Sequence, residues 1–150
     1  MASVLYVEDE ESDVFFMRRA FRRAGMEQAL KVAVDGQEAI DYLAGRGAFS
    51  DRLVYPLPAV VLLDLNLPTV SGFQVLRWLR AQPELEDLPA VVFSSSAREE
   101  DRAQARQLGA NDYLEKPGSG LEFAGVLEEL CRRWLRLDRA PDGVGPLSGH

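Results

Sequence analysis

Four short runs of this sequence, three of them apolar and the last one mixed, are each followed by a side chain that could take part in chemistry. Glu8 and Asp9 follow the first run, and Asp64 follows a run of five apolar residues. Ser94 and Lys116 follow two later runs. Carboxylates brought together repel one another unless a cation joins them, and an all-oxygen cluster of this kind suits Mg²⁺. The residues therefore predict a magnesium site, provided that the fold brings the ends of these runs together.

Asp64 is the predicted nucleophile of this site. With Mg²⁺ held by Asp9 and Asp64, a phosphoryl group can bond to the other oxygen of Asp64. The metal, the Lys116 ammonium and the Ser94 hydroxyl can then share its charge. These are the parts that phosphoryl transfer needs. Each residue also has an ordinary alternative, as a turn residue, a helix cap, an acid at a helix start or a solvated surface charge.

Short apolar strands alternate with amphipathic helical stretches along most of the chain. Strands are predicted at residues 4–7, 31–34, 59–63, 89–93 and 112–115. Helices are predicted from a cap at Ser12 or Asp13 to Gly25, at residues 37–43, from Phe73 to near Pro83, and at residues 98–108 and 121–137. Residues 45–58 form a long loop.

Five such alternations predict an α/β fold with a doubly wound, five-stranded parallel sheet and helices on both faces. The expected strand order is the flavodoxin-like order 2-1-3-4-5. In that order the C-terminal ends of strands one, three, four and five share one rim. The reactive side chains are therefore expected to meet there.

The composition excludes several classes of protein. A formal charge of −7 argues against nucleic acid or an anionic membrane as the main partner. Cys131 is the single cysteine, which fits a reducing compartment, and no apolar run approaches the roughly 20 residues of a membrane span. Without a signal-type N-terminus, a cytoplasmic location is expected. His150 is the only histidine, which leaves a Ser-His-Asp triad or a histidine-ligated zinc site without a histidine in the body of the chain.

The motifs around these residues together resemble the receiver domain of two-component response regulators, over residues 4–137. The matching motifs are Val7-Glu8-Asp9, Leu62-Leu63-Asp64-Leu65-Asn66-Leu67-Pro68, Gly72, Val92-Phe93-Ser94, Gly109-Ala110 and Tyr113-Leu114-Glu115-Lys116-Pro117. The long loop before the third strand and the sequence of residues 64–68 are similar to those of the phytochrome-associated regulators. Residues 1–137 are thus expected to form the receiver domain, and residues 138–150 a flexible tail.

The resemblance implies that Asp64 is the phosphoacceptor for a histidine kinase, and the subgroup implies a bacteriophytochrome as that kinase. Asp9 and Asp64 would be Mg²⁺ ligands, with the backbone carbonyl of Asn66 as a third ligand. Glu8 would act through water. The protein would catalyse only its own phosphorylation and dephosphorylation, so it would not be an enzyme for another substrate.

The resemblance also assigns the remaining site residues. Lys116 would bind the phosphoryl group, and its bond to Pro117 would be cis. Ser94 and Tyr113 would be switch residues: the hydroxyl moves toward the phosphoryl group, and the ring swings inward into the vacated space. A tyrosine packed in the core is the alternative for Tyr113.

A stand-alone regulator that signals by contact is expected, because the sequence ends soon after the last predicted helix. The apolar residues of that helix spread over half of its surface, whereas covering one core needs a narrower stripe. They are Phe123, Ala124, Val126, Leu127, Leu130, Cys131, Trp134, Leu135 and Leu137. This predicts a homodimer through helix four, strand five and helix five, with a helix bent against a large core as the alternative. Packing is the expected role of Cys131.

A haloacid-dehalogenase-type phosphatase is the competing enzyme class. It also uses an Asp at a strand end, a hydroxyl, a Lys and Mg²⁺. Its nucleophile belongs to the first strand, however, and its second acid lies two residues further on, where this sequence has Asn66. The phosphatase also has a pair of acids after its Lys, whereas the acids of this sequence come before Lys116. The third class is a binding domain that never accepts phosphate. Such a domain would normally have lost one of the predicted site residues.

Overall fold

A five-stranded parallel sheet forms the centre of the protein in a computed structural model that describes residues 2–135. The strands are β1 (Val4–Val7), β2 (Leu30–Ala33), β3 (Val60–Leu63), β4 (Ala90–Ser94) and β5 (Asp112–Glu115). Their order is β2-β1-β3-β4-β5, and every neighbouring pair is parallel. The predicted fold class and strand order are confirmed. The predicted tail, residues 138–150, lies outside the described residues.

In the described part of the chain, four α-helices connect successive strands and a fifth follows β5, and together they cover both faces of the sheet. They are α1 (Glu11–Arg23), α2 (Gly36–Ala44), α3 (Gly72–Arg80), α4 (Glu99–Gln107) and α5 (Phe123–Arg133). One apolar core lies between the sheet and α1 and α5, and a second lies between the sheet and α2, α3 and α4. Successive residues of β1 and β3 alternate between the two cores, so both strands are buried on both faces, as central parallel strands require. Within residues 2–135, no helix is long and apolar enough to cross a membrane.

Several helix boundaries differ from the sequence prediction. α1 begins at Glu11 without a side-chain cap, so the prediction of a cap at Ser12 or Asp13 is wrong. The reason is that both side chains lie inside the first turn rather than before it. α5 ends at Arg133, short of the predicted end at residue 137. Apolar periodicity alone does not locate helix ends, because the core continues to bury residues such as Leu135 after the helix has stopped.

Two glycines let helix starts approach the segment that follows β3. A Cβ at Gly72, the first residue of α3, would lie only 2.2 Å from the backbone oxygen of Asp64. A Cβ at Gly36, the first residue of α2, would lie 2.3 Å from the backbone oxygen of Val70. The N-terminus of α3 also carries a complete capping box between Ser71 and Gln74. The backbone around Asp64 is therefore held from one side by α3.

The apolar surface of α5 is buried largely within this chain. Leu127, Leu130 and Cys131 lie in the core against α1 and the sheet. Val126 and Trp134 pack partly buried against the same core. The width of the apolar stripe is thus explained by packing inside the protein, and the homodimer stays a prediction. Burial also raises the pKa of the Cys131 thiol to about 11, which agrees with a packing role.

Candidate functional site

An open cavity of about 510 Å³ lies at the rim of the sheet where β1, β3, β4 and β5 end. Its lining contains most of the residues that the sequence predicted for the site. The lining residues are Glu8, Asp9, Glu10, Asp13, Asp64, Asn66, Ser95, Lys116, Pro117 and Gly118. The parallel topology therefore brings the residues just after four strands, β1, β3, β4 and β5, to one place.

Backbone hydrogen bonds hold the two buried acids of this cavity in adjacent positions. The Glu8 N–H donates to the Ala33 carbonyl at 2.9 Å, and the Asp64 N–H donates to the Val7 carbonyl at 3.1 Å. The hydrogen-bonding pattern of the sheet thus continues one residue beyond β1 and β3. Glu8 is fully buried and Asp64 is 4% exposed. Their positions are set by the sheet rather than by a mobile loop.

Three carboxyl groups form a cluster at the base of the cavity. One oxygen each from Glu8, Asp9 and Asp64 lies within 4.8 Å of the other two. Asp9 is exposed, so the cluster opens to water. Oxygen donors close to open water fit a hard divalent cation that keeps part of its hydration shell. The predicted acidic ligands are therefore together, and Asn66 lines the same cavity.

Lys116 places its ammonium among the carboxylates. The distance from Lys116 Nζ is 2.7 Å to Asp13 Oδ2, 2.8 Å to Glu8 Oε1 and 3.2 Å to Asp64 Oδ2. The backbone N–H of Lys116 donates to the Ser94 carbonyl at 2.8 Å, and this hydrogen bond attaches the residue to the end of β4. An ammonium has three N–H donors, and each can face one of these carboxylates.

Asp64 offers different surroundings to its two oxygens. Its Oδ1 accepts the backbone N–H of Asn66 at 3.2 Å, whereas Oδ2 faces Lys116. A backbone N–H and an ammonium on the same side chain are the donors that stabilise additional negative charge at this position. The arrangement can therefore support a charged group bonded to the Asp64 carboxylate.

The electrostatics of the site differ from those of isolated side chains. Burial raises the pKa of the Glu8 carboxyl to about 7; the hydrogen bond from Lys116 opposes the shift, and the charge of Asp64 adds to it. Burial alone would lower the pKa of Lys116, but its hydrogen bonds to Asp13 and Glu8, with the charge of Asp64, raise it. Five acidic side chains and one ammonium are among the residues that line the cavity, and this excess of negative charge favours a bound cation.

The two predicted switch residues lie beside the cavity rather than in it. Ser94 is fully buried, and its Oγ accepts the Ser96 N–H at 3.1 Å. The Tyr113 hydroxyl donates to the Ser96 carbonyl at 2.9 Å, and the Arg102 guanidinium lies 4.6 Å from the centre of its ring. Ser95, the residue after Ser94, lines the cavity instead. Ser94 and Tyr113 are therefore joined through one residue, Ser96.

The predicted cis bond before Pro117 is wrong, since no peptide bond among residues 2–135 is cis. A Lys-Pro pair does not decide the isomer by itself, because an isolated X-Pro bond favours trans by about 0.5–1 kcal/mol. Only the surrounding packing can reverse that preference.

Sequence reasoning missed two side chains that hydrogen-bond to predicted site residues. Tyr6 is buried in β1, and its hydroxyl donates to Glu8 Oε1 at 3.3 Å. Burial, followed by the charge of Glu8, raises the pKa of Tyr6, so the hydroxyl keeps its proton and can donate. Asp13 was interpreted only as a possible helix cap. An acid in the first turn of a helix that begins at the same rim was the available signal.

Comparison with known proteins gives the same result over most of the chain. The family model of the response regulator receiver domain matches residues 4–127. The probable methanogenesis regulatory protein FilR2 of Methanothrix harundinacea is 34% identical over 143 residues, which cover 92% of this chain and 86% of FilR2. Response regulator Rcp1 of Synechocystis is 28% identical over 138 residues, 92% of each chain.

Two solved structures have a similar fold. The Mn²⁺-bound form of Rcp1 superimposes with a TM-score of 0.79, at 28% identity, covering 90% of this chain and 95% of Rcp1. The phosphorylated cyanobacterial phytochrome response regulator RcpA gives a TM-score of 0.80 at 27% identity, with the same coverage.

Proposed function

This chain belongs to the response regulator receiver domain family of two-component systems, and we propose that it accepts a phosphoryl group on Asp64 from a partner histidine kinase in a Mg²⁺-dependent reaction. The observation that carries the proposal is the position of Asp64. This carboxylate lies at the end of a doubly buried strand, between an acidic cluster and the Lys116 ammonium. In the reaction, an Asp64 oxygen bonds to phosphorus while the P–N bond of a phosphohistidine breaks and the imidazole leaves.

Glu8, Asp9 and Asp64 would hold the ion, with the backbone carbonyl of Asn66 as a further ligand. The all-oxygen cluster supports this assignment, and the Mn²⁺-bound form of the similar protein Rcp1 supports a divalent ion at such a site. When bound, the ion supplies positive charge that offsets the repulsion between Asp64 and an incoming phosphoryl group.

Lys116 would bind the phosphoryl oxygens, because its ammonium already faces the Asp64 oxygen Oδ2. Ser94 would supply a hydroxyl after its Oγ turns away from the Ser96 N–H. Inward movement of the Tyr113 ring would break its hydrogen bond to the Ser96 carbonyl and release the segment before α4. The signal would then be a changed surface around α4 and β5.

The phosphodonor would come from another protein, since the only histidine of this chain is His150. RcpA is a phytochrome response regulator, and the similarity of this chain to RcpA supports a phytochrome-type kinase as the partner. A bacteriophytochrome would be such a kinase. Such a reaction would take place in the cytoplasm. A haloacid-dehalogenase-type phosphatase fits this site less well, because the residue two past Asp64 is the amide Asn66 rather than an acid.

A homodimer through α4, β5 and α5 would present the changed surface to a downstream protein. Charged residues on this face are paired within the chain, Arg102 with Glu115 and Arg133 with Asp112. Dimerisation would therefore either bury these pairs intact or exchange their partners. The match to Rcp1 over 92% of each chain supports a stand-alone regulator that acts by contact.

The test is incubation with acetyl phosphate and Mg²⁺, followed by intact-mass measurement. We expect one added phosphoryl group on the wild type and none on Asp64→Asn. Asp87→Asn, which changes an exposed acid that does not line the cavity, is the matched control and should be phosphorylated like the wild type. A wild type without the added mass, or a gain that persists in Asp64→Asn, would overturn the proposal.

A further inference from the structure

We propose that Asp13 is a positioning residue: it anchors the Lys116 ammonium so that one N–H keeps pointing at Asp64 when a metal ion is bound. This inference rests on the proposed phosphoryl transfer and concerns how the same site is kept in its reactive geometry. The carboxylate of Asp13 makes the shortest of the three contacts to Lys116 Nζ, at 2.7 Å.

The contact joins two distant parts of the chain. Asp13 lies in the first turn of α1, and Lys116 follows β5, a separation of 103 residues. Both side chains are largely enclosed, with 20% of Asp13 and 12% of Lys116 exposed. The Asp13 carboxylate lines the cavity from the first turn of α1. It therefore contacts Lys116 from the helical side of the cavity.

Asp13 differs from the other two partners of Lys116 in one respect. Glu8 and Asp64 belong to the cluster of oxygens that can hold a metal ion, whereas Asp13 does not. A bound divalent cation attracts the oxygens of Glu8 and Asp64 and repels the ammonium. Asp13 is then the carboxylate that still attracts Lys116 without also binding the ion.

The geometry of an ammonium explains why this matters for Asp64. Its three N–H groups point in fixed tetrahedral directions, so occupying one direction limits the others. The contact to Asp64 Oδ2 is the longest of the three, at 3.2 Å. Without the anchor at Asp13, the flexible Lys116 side chain can turn away from Asp64 when the metal repels it. The phosphoryl group would then meet a poorly placed cation.

The composition of the chain makes this test direct. The sequence contains two lysines, Lys31 and Lys116, so lysine-selective ¹⁵N labelling of the full chain gives two ammonium groups. A hydrogen-bonded ammonium exchanges its protons slowly enough to be detected by NMR, and the labelled backbone amide of Lys31 in β2 serves as the internal reference. We compare the wild type, Asp13→Ala, Asp13→Asn and the control Glu11→Gln, each with and without Mg²⁺. Glu11 is an exposed acid in the same helical turn and does not line the cavity.

We expect the Lys116 ammonium signal to persist with Mg²⁺ in the wild type and Glu11→Gln, and to vanish with Mg²⁺ in Asp13→Ala. Asp13→Asn keeps an oxygen acceptor but loses the charge, so its signal should weaken. The maximal rate of phosphorylation by acetyl phosphate should fall about tenfold in Asp13→Ala, the loss expected for a hydrogen bond between charged groups. The donor concentration at half-maximal rate should stay unchanged, because Asp13 does not contact the donor.

The outcomes separate the two proposals. A wild type that takes up no phosphoryl group overturns the proposed function, whatever the ammonium signal shows. The positioning role alone is overturned if the wild type is phosphorylated and the Asp13 variants keep both the wild-type Lys116 ammonium signal and the wild-type phosphorylation rate. Should Asp13→Ala fail to fold, as judged by circular dichroism, Asp13→Asn decides the question by the same two measurements.

Discussion

The affinity of the acidic cluster for a divalent ion should fall by about tenfold when the pH is lowered from about 8 to about 6. The reason is Glu8, whose carboxyl is fully buried and whose pKa burial raises to about 7. A carboxyl group must lose its proton before it can bind a metal ion, so a raised pKa makes ion binding compete with protons near neutral pH.

The size of the effect follows from that pKa. At about pH 6, one unit below the pKa of about 7, roughly one Glu8 in eleven is ionised, whereas at about pH 8 roughly nine in ten are ionised. Apparent affinity scales with the ionised fraction, which gives the tenfold ratio. A carboxyl with the ordinary value of 4.5 would be ionised at both pH values and would give almost no change.

Isothermal titration calorimetry with MgCl₂ measures both the affinity and the protons released. Repeating the titration in two buffers with different ionisation enthalpies should show close to one proton released per ion at about pH 6 and few at about pH 8. Glu8→Gln should bind the ion more weakly and lose this dependence on pH, whereas the surface control Asp87→Asn should keep it. Equal affinities at the two pH values, or no proton release at the lower one, would refute the role assigned to Glu8.

Two further predictions concern the packing around the site. Gly72→Ala should weaken ion binding and lower the free energy of unfolding by about 1–3 kcal/mol in urea titrations, because the new Cβ would overlap the Asp64 carbonyl. Its control, Gly125→Ala in α5, meets no atom within 4 Å and should raise stability by about 0.5–1 kcal/mol; a loss there would contradict the packing argument. Tyr113→Phe removes the hydrogen bond to the Ser96 carbonyl, so amide hydrogen exchange should speed up in the segment after β4. Unchanged exchange there would mean that the hydroxyl does not hold this segment.

The reactive rim was predictable from local features of the sequence. Short runs that end at acids, at Ser94 or at Lys116, most of them apolar, indicated strands, and their alternation with helices indicated a parallel sheet. Parallel strands place all their C-terminal ends at one edge, which is why Glu8, Asp9, Asp64 and Lys116 could be expected together before any contact was known. The receiver-domain resemblance, stated on those motifs, is confirmed by the family match over residues 4–127.

The apolar width of α5 is a feature that sequence reasoning could not interpret by itself, and the homodimer that it suggested stays a prediction. The apolar residues of this helix suggested a partner, but Leu127, Leu130 and Cys131 are buried by α1 and the sheet of the same chain. A hydrophobic stripe predicts that one face of a helix is buried. It does not predict whether the same chain or a partner protein buries that face. That information depends on how closely the neighbouring helix packs.

The sequence by itself determined which groups reach the rim, because periodicity and strand endings are properties of a continuous stretch of chain. Only the tertiary structure decided which of those groups touch. It placed Asp13 against Lys116, turned the Ser94 hydroxyl toward the Ser96 N–H, and buried Glu8 deeply enough to raise its pKa. Each of these depends on rotamers and burial set by elements far apart in the chain, which no local pattern encodes.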